Sequence, residues 1–560
     1  MPVDVQDILT RYKTMQAQQE QYLTDWQEIG EYCGVDATNI TQRNTPGNLR
    51  YDRRFDSTGM EASVLFAASL QGSLTNQATE WERLKFRSDA LNKSPGVADW
   101  LNETNALMLN AYAASNFYLS SHTYYAHYGR FGMAAMYEEE RRDYSEEGTF
   151  FPGLNFRTLS PGRYVIAENA QGRVDTVFRE VLLSPRQALQ VFGADAVTQA
   201  TREAAHNPSS TDKPLEYLHA VYPRGEMSGA KLGNQYMPYA SVYVDTKSKH
   251  ICRESGYEEF PFFVSRFRKD NEESPYGVGP GHVALPDMRS LDRLKEMALE
   301  SVALHLQPPL NVIEAGVVGH ISQISLASLA INRVTRTDAI TPLVPTGNMN
   351  IVELEQADLR QAVRRAFHAD QLELLLRPPS TQMTATEFVQ RLRVLERLLG
   401  PSFFRLSWEF LDPLADRSFG ILARAGVLPP PPVAVLLAAV QNNGQLDVEY
   451  VGPLARSQRA GDVEAISRVY SVGGQIVQST GDASLWDNLD HDKALARVAE
   501  VEGLPAYLIR PPYDRDQLRA QRQQAQQAEA QQAQQVEALS ALGSAAPFAR
   551  AVDAPQGAEA

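Results

Sequence analysis

Proline sets the layout of the second half of this chain. Pro308-Pro309, Pro378-Pro379 and Pro429-Pro-Pro-Pro432 each interrupt a stretch that otherwise has helical spacing. A proline ring removes a backbone donor and collides with the carbonyl four residues earlier, so a helix does not run through such a pair. The clusters therefore cut residues 286–432 into separate rods. Leu291, Leu294, Met297, Ala298 and Leu304 predict a helix over 286–307. A second rod spans 352–376. A third starts near Thr384, where Thr384 and Glu387 can form a capping box. It continues, bent at Pro401 and Pro413, to Ala425, where Gly426 and the four prolines end it. Between the first two rods, residues 308–351 carry β-branched runs around Asn311–Val318 and Ile340–Val344. Between the second and third lies a polar loop, 377–384.

The first half mixes helix and strand. Ile8, Tyr12, Met15, Tyr22, Trp26, Ile29 and Tyr32 place a helix over residues 1–35, and 36–56 read as loop. Ser57 or Thr58 can cap a second helix, whose apolar face is Met60, Val64, Ala67, Ala68, Leu70 and Leu74. Residues 96–137 read as further helix. Strand character starts near Phe150. Arg163–Ala167 and Val174–Leu183 flank the turn-rich Glu168–Gly172 and predict a hairpin. Leu215–Tyr222 and Tyr239–Val244 add strands, and Asp245–Lys249 reads as another hairpin loop. Residues 433–510 read as a small, mainly helical unit. Asp514–Leu542 is dominated by Gln and Ala, both good helix formers, and 543–560 as a tail without order. The fold class is α+β, and 560 residues need more than one core.

Charge and composition narrow the function. The net formal charge is −15, whereas tight nucleic-acid binders are usually basic because affinity comes from neutralising phosphates. An acidic wall suits a protein that DNA slides past. No apolar run reaches the length of a membrane span, and the polar start does not read as a secretory signal. Cys33 and Cys252 provide neither a disulfide framework nor a zinc set.

The site-like motifs favour structural readings. Gly225–Lys231 resembles a phosphate loop, but Ala230 stands where glycine is needed and no hydroxyl residue follows Lys231. Asp487, Asp490, His491 and Asp492 read as helix capping rather than a metal site. His122 and His127 have spacing that suits no zinc motif. The acidic run Glu138–Glu147 reads as a solvated loop rather than a pair of catalytic carboxylates. Gly277, Gly279 and Gly281 read as a flexible joint rather than a phosphate cradle. These readings give no catalytic residue, no cofactor and no metal.

Several motifs occur in an order that resembles the portal (head-to-tail connector) proteins of short-tailed, podovirus-type tailed bacteriophages. They are Asp56-Ser-Thr-Gly59 with the small-residue helix ending near Trp81, Arg173–Arg179 followed by Gln187 and Phe192-Gly193, and Ser274–Gly281 leading to Leu285-Pro-Asp287. Met383–Glu387, Gly400-Pro401 through Glu409, Asp412-Pro413-Leu414, and Tyr450–Ala455 with Gln458 continue the series. The resemblance covers roughly residues 1–515.

It implies a portal-type ring subunit with a mixed α/β wing (1–285), stem helices (286–307 and 352–376), a small β-containing clip (308–351) and a tunnel loop (377–384). A long bent wing helix (385–428), a helical crown (429–512) and a Gln/Ala-rich helical barrel or disordered tail (513–560) complete it. The implied homo-oligomer is a ring of about twelve at one capsid vertex of the virion, assembled in the host cytoplasm. Its implied partners are double-stranded DNA in the channel, a terminase motor, tail or adaptor proteins, and capsid and scaffold proteins, with no membrane. The implied channel residues are Arg377, Pro378, Pro379, Ser380, Thr381, Gln382, Met383 and Thr384. Glu353, Glu355, Arg360, Arg364, Arg365 and Glu373 are expected to pair between stem helices of neighbouring subunits. The alternatives are a head-tail adaptor or other structural virion protein, and a hydrolase whose site is not recognisable in sequence.

Overall fold

A computed structural model of the chain describes residues 4–528 except 35–39, 42–53, 93, 95, 142–150, 226–233, 319, 326–331, 344–348, 377–399, 441–445, 451–452 and 503–514. The chain forms two compact units, residues 1–458 and 459–560. The first holds helices α1 (Val5–Cys33), α2 (Thr58–Leu74), α3 (Asp89–Asn92), α4 (Val97–Ala114) and α5 (Phe117–Phe131), and α5 packs against a three-stranded antiparallel sheet. Its order is β3 (Leu154–Thr158), β2 (Met133–Glu140), β9 (Phe262–Arg266). Trp26, Phe66, Tyr124, Tyr125, Tyr128, Met136 and Phe263 are fully buried here. The small residues of α2 and α5 bring the helices close: a Cβ on Gly129 would strike the Phe66 ring.

The helical reading of 96–137 fails after Phe131. Gly132 takes a left-handed φ of 68° that ends the helix, and Met133–Glu140 becomes the central strand. Glu138, read as part of a solvated loop, lies in that strand and is fully buried. Strand alternation there is hidden because both faces of a central strand are covered.

The hairpins match their expected places. A five-stranded antiparallel sheet runs β4 (Tyr164–Glu168), β5 (Val174–Leu183), β6 (Leu215–Pro223), β7 (Tyr239–Asp245), β8 (His250–Tyr257). Helices α6 (Pro185–Phe192), with a Ser184/Gln187 capping box, and α7 (Gln199–His206) join β5 to β6. The β7–β8 turn places Lys249 at φ 53°.

Helix α8 (Pro280–Leu306) begins six residues before the expected Pro286. Pro280 stands at the first helical position, where its missing N–H costs nothing, and Pro286 lies inside the helix. The glycine run before it is no flexible joint. Strands β10 (Arg268–Lys269) and β11 (Gly277–Val278) pair, and Gly277, Gly279 and Gly281 are buried. Cβ atoms on Gly277 and Gly279 would meet backbone atoms of Gly132 at 2.5 and 2.6 Å. Glycine is used here for close backbone approach, not for mobility.

After α8, β12 (Leu310–Val312) and β13 (Ile340–Pro342) pair antiparallel, and a bridge joins Val317 to Val334. The expected single helix 352–376 is two: α9 (Met349–Ala366) and α10 (Ala369–Leu376). His368 sits between them with φ 53°. The break keeps Val363, Phe367, Ala369 and Leu372 all in the core, which one straight helix does not do. Residues 400–406 are helical, and the helix widens to a π-turn at Ser407–Leu411 and continues as α11 (Asp412–Arg424), with Gly426 at φ 70° after it. Helix α12 (Val433–Val440) follows. Strand β14 (Leu446–Tyr450) lies within the segment read as helical and pairs with β1 (Glu82–Phe86).

The second unit holds most of helix α13 (Pro453–Thr480), then α14 (His491–Glu502) and a helix over 515–528. Tyr470 stacks on Trp486 with ring centroids 5.3 Å apart, and its hydroxyl meets His491 Nδ1 at 2.6 Å. No described helix is long and apolar enough to cross a membrane.

Candidate functional site

The feature that calls for explanation is the pair α8 and α9. They lie against each other, joined at one end by the β12–β13 pair. The first half of α8 is anchored: Ala284, Leu285, Met288 and Leu291 are buried. Asp292, also buried, accepts backbone hydrogen bonds from Phe55 (2.6 Å) and Asp56 (3.1 Å). Beyond Asp292 no residue of α8 is buried, over a length of about 20 Å.

That outer half is not polar. Met297 and Leu304, seven apart, share one face; Leu299, Val302 and Leu306 share the opposite one. All five are exposed, Leu306 by 77%. On α9, Ile351 and Leu354 are exposed too, as are Ile313, Val318, Ile321, Val334 and Leu343 between the helices. A helix apolar on opposite faces is stable in water only when both faces are covered.

The base of α9 is held by charge. Asp56 Oδ1 accepts from the Thr58 backbone (2.9 Å) and hydroxyl (2.5 Å), and its Oδ2 accepts from Arg360 Nε (3.1 Å) and Nη2 (3.0 Å). Burial works to raise the Asp56 carboxyl, but the bonds from Thr58 and Arg360 outweigh it and hold it below its ordinary range. Arg364 binds Asp370 and Glu373, both at 2.6 Å. Of the six stem residues singled out in sequence, Arg360, Arg364 and Glu373 thus have partners within the chain, while Glu353, Glu355 and Arg365 are exposed. Arg377 through Thr384 lie outside the described residues, as does most of the Gly225–Lys231 segment.

Buried ion pairs fix the 400–424 helix to the core, and sequence reading missed them. Arg266 on β9 is 2% exposed. It binds the Glu409 carboxylate of the π-turn through its backbone N–H (2.8 Å) and its guanidinium, and also contacts Glu168. Lys269 Nζ meets Glu168 at 2.8 Å. On α11, Ser418 Oγ donates to Glu138 at 2.7 Å, beside Arg417. Burial pushes the Glu138 carboxyl up to about 7, against the pull of Arg417 and Ser418. The π-turn has no sequence signature, and the partners stand 143 residues apart.

The other motifs are structural here. His122 Nδ1 meets Gln71 (3.0 Å) and His127 is buried. Asp490 accepts the Lys493 N–H at 3.0 Å as a helix cap, and Asp492 binds Arg515 and Arg519.

Comparison with known proteins places these features in context. A family model described as bacteriophage head to tail connecting protein matches residues 5–509. A probable portal protein of Bordetella phage BPP-1 is 28% identical over 520 residues, covering 92% of this chain and 90% of that protein. A portal protein of Salmonella phage epsilon15 is 25% identical over 522 residues, with the same coverage. Among solved structures, a chain from the neck of an empty gene transfer agent particle aligns with a TM-score of 0.34 at 11% identity, covering 80% of this chain and 90% of that one.

Proposed function

The chain belongs to the bacteriophage head to tail connecting protein family, and we propose that it works as the portal subunit of a podovirus-type phage. It is a structural protein of the capsid vertex, forming a ring whose channel passes double-stranded DNA during packaging and ejection. In this reading residues 1–279 and 400–428 form the wing, α8 with α9 and α10 the stem, 308–348 the clip, and 377–384 the tunnel loop. About twelve copies close the ring. A terminase motor docks on it during packaging, and tail or adaptor proteins dock afterwards.

One observation carries this reading: α8 leaves its own core and exposes apolar side chains on opposite faces. A two-fold dimer uses one patch, the same on both copies. A ring uses two different patches, each covered by a different neighbour. Glu353, Glu355 and Arg365 are exposed on α9 and, in this reading, set register between copies.

The test is electron microscopy and mass measurement of the purified chain. The parent is expected to give rings with an axial hole. The triple substitution Leu299→Ser, Val302→Ser and Leu306→Ser is expected to abolish rings while leaving the monomer folded, since none of these side chains is part of the monomer's buried core. Rings that persist in the triple variant, or a parent that stays monomeric at every concentration, refute the assignment. Deleting Ser380–Gln382 is expected to leave rings intact and impair packaging or retention of DNA; unimpaired packaging removes the tunnel-loop assignment.

A further inference from the structure

A cleft of about 960 Å³ opens over one face of the five-stranded sheet, between β8, the β2–β3 strands and α11. Six arginines and three glutamates line it, in a chain whose net charge is −15. The local charge is therefore opposite to that of the chain.

Its floor is a built polar network. Arg179 is 4% exposed. Its guanidinium lies 3.8 Å from the centroid of the Tyr137 ring and donates from Nε to His219 Nδ1 at 3.0 Å. Because His219 Nδ1 accepts, Nε2 carries the proton and donates to Ser241 Oγ at 3.0 Å. His219 also stacks on Tyr243, with ring centroids 4.0 Å apart. Burial and the neighbouring Arg179 and Arg253 keep His219 well below its ordinary range, so it adds no charge of its own. Arg179 is thus a fixed, nearly dry cation, held by His219, by the Tyr137 and Phe262 rings, by Tyr243 and by the nearby charge of Glu139.

The walls add more cations. Arg141 and Arg157 are exposed and Arg253 half-buried, and none has an ion pair or side-chain hydrogen bond among the described residues. Arg417 and Arg424, by contrast, are matched by Glu259. Val181, Leu183, Met237 and Ile421 supply apolar lining.

We propose that this cleft binds an acidic peptide segment of a partner protein, carboxylates meeting Arg157 and Arg253 and one apolar side chain seated over the sheet. Guanidinium groups in a fork match carboxylates in two parallel hydrogen bonds. Nucleic acid fits less well. Duplex DNA does not enter so small a concavity, and the apolar lining gives phosphates nothing.

The test uses the assembled full-length protein and fluorescence anisotropy. The probe is a labelled peptide of Glu and Gly with one central Leu; the comparisons are its Lys counterpart, the same Glu peptide without Leu, and a labelled DNA duplex. The Glu/Leu peptide is expected to bind best, and Arg157→Gln and Arg253→Gln each to weaken it about tenfold or more. Arg157→Lys and Arg253→Lys are expected to restore part of the loss. Both positions reach solvent, so the variants keep the fold, checked by unchanged assembly. Failure of the Glu/Leu peptide to bind, equal binding of the Lys peptide, binding unchanged in the double Gln variant, or preferential binding of the duplex through the same arginines overturns the proposal.

Discussion

Gly281→Ala separates a packed glycine seam from a mobile hinge by the sign of its effect. Gly281 is the second residue of α8 and is buried. A Cβ there would collide with the backbone carbonyl oxygen of Arg130 and meet Ile29 Cγ2 at 3.0 Å. The obstacle is main chain in the turn that ends α5, so it does not swing aside as a long side chain does. Overpacking of this kind costs about 1–3 kcal/mol, sometimes more, partly offset by the roughly 1 kcal/mol that alanine gains over glycine in a helix. With main chain as the obstacle the cost lies at the upper end of that range, about 2–3 kcal/mol, and a net loss of about 1–2 kcal/mol is expected. A hinge glycine free of contacts predicts the opposite, a gain of about 0.4–1 kcal/mol, because alanine restricts the unfolded chain. Urea unfolding followed by tryptophan fluorescence suits this core, where Trp26 and Trp81 are buried. Gly72→Ala on α2 is the control: nothing lies within 4 Å of its Cβ, so its midpoint should hold or rise. A Gly281→Ala midpoint equal to or above the parent's refutes the packed-seam argument.

Other outcomes follow from buried charge. Glu409→Leu leaves Arg266 with one fewer carboxylate in a dry site and should cost about 3–5 kcal/mol, read by the same unfolding; a loss under about 1 kcal/mol contradicts the network's role. Glu82 is fully buried, and burial, then repulsion from Glu80, pushes its carboxyl up to about 8. The folded form therefore holds a proton that the unfolded form releases, so stability should fall as pH rises from about 4.5 towards 8; Glu82→Gln should flatten that slope, and an unchanged slope argues against it. Arg360→Ala removes a part-exposed pair with Asp56, worth under about 1 kcal/mol globally, yet amide exchange around Arg360 in the second half of α9 should quicken; unchanged protection there removes the anchoring role.

Local signals placed most elements. The 29-residue helix α1, the β4–β5 hairpin around Glu168–Gly172 and the end of α11 at Gly426 all follow from spacing, turn residues and caps. Failures occur where tertiary contacts overrule local preference. Met133–Glu140 follows a helix without any proline, and its run of Ala, Met and Glu has no strand alternation. It is a strand because β3 and β9 pair on both sides. The same segment made Glu138 look solvated, since sequence cannot show that Ser418 and Arg417, about 280 positions away, will enclose it. The glycine run misled for a related reason: glycine marks freedom when its surroundings are open and tight packing when they are not, and only the position of Gly132 decides between them.

The stem shows where a periodic pattern stops being informative. Leu291, Met297 and Leu304 lie in one run of apolar residues that identifies a helix with a face to be covered. Leu291 is buried in its own subunit, whereas Met297 and Leu304 are exposed. Periodicity records that a face is to be covered but carries no information on whether the cover is the same chain or another copy. The distinction comes from where the subunit's own core ends, at Asp292, and from the second set of apolar residues, Leu299, Val302 and Leu306, on the far side of the helix. One uncovered face is compatible with many partners. Two opposite faces on one helix that has left its core fit two neighbours, and identical neighbours on both sides repeat into a ring where the rotation between copies closes.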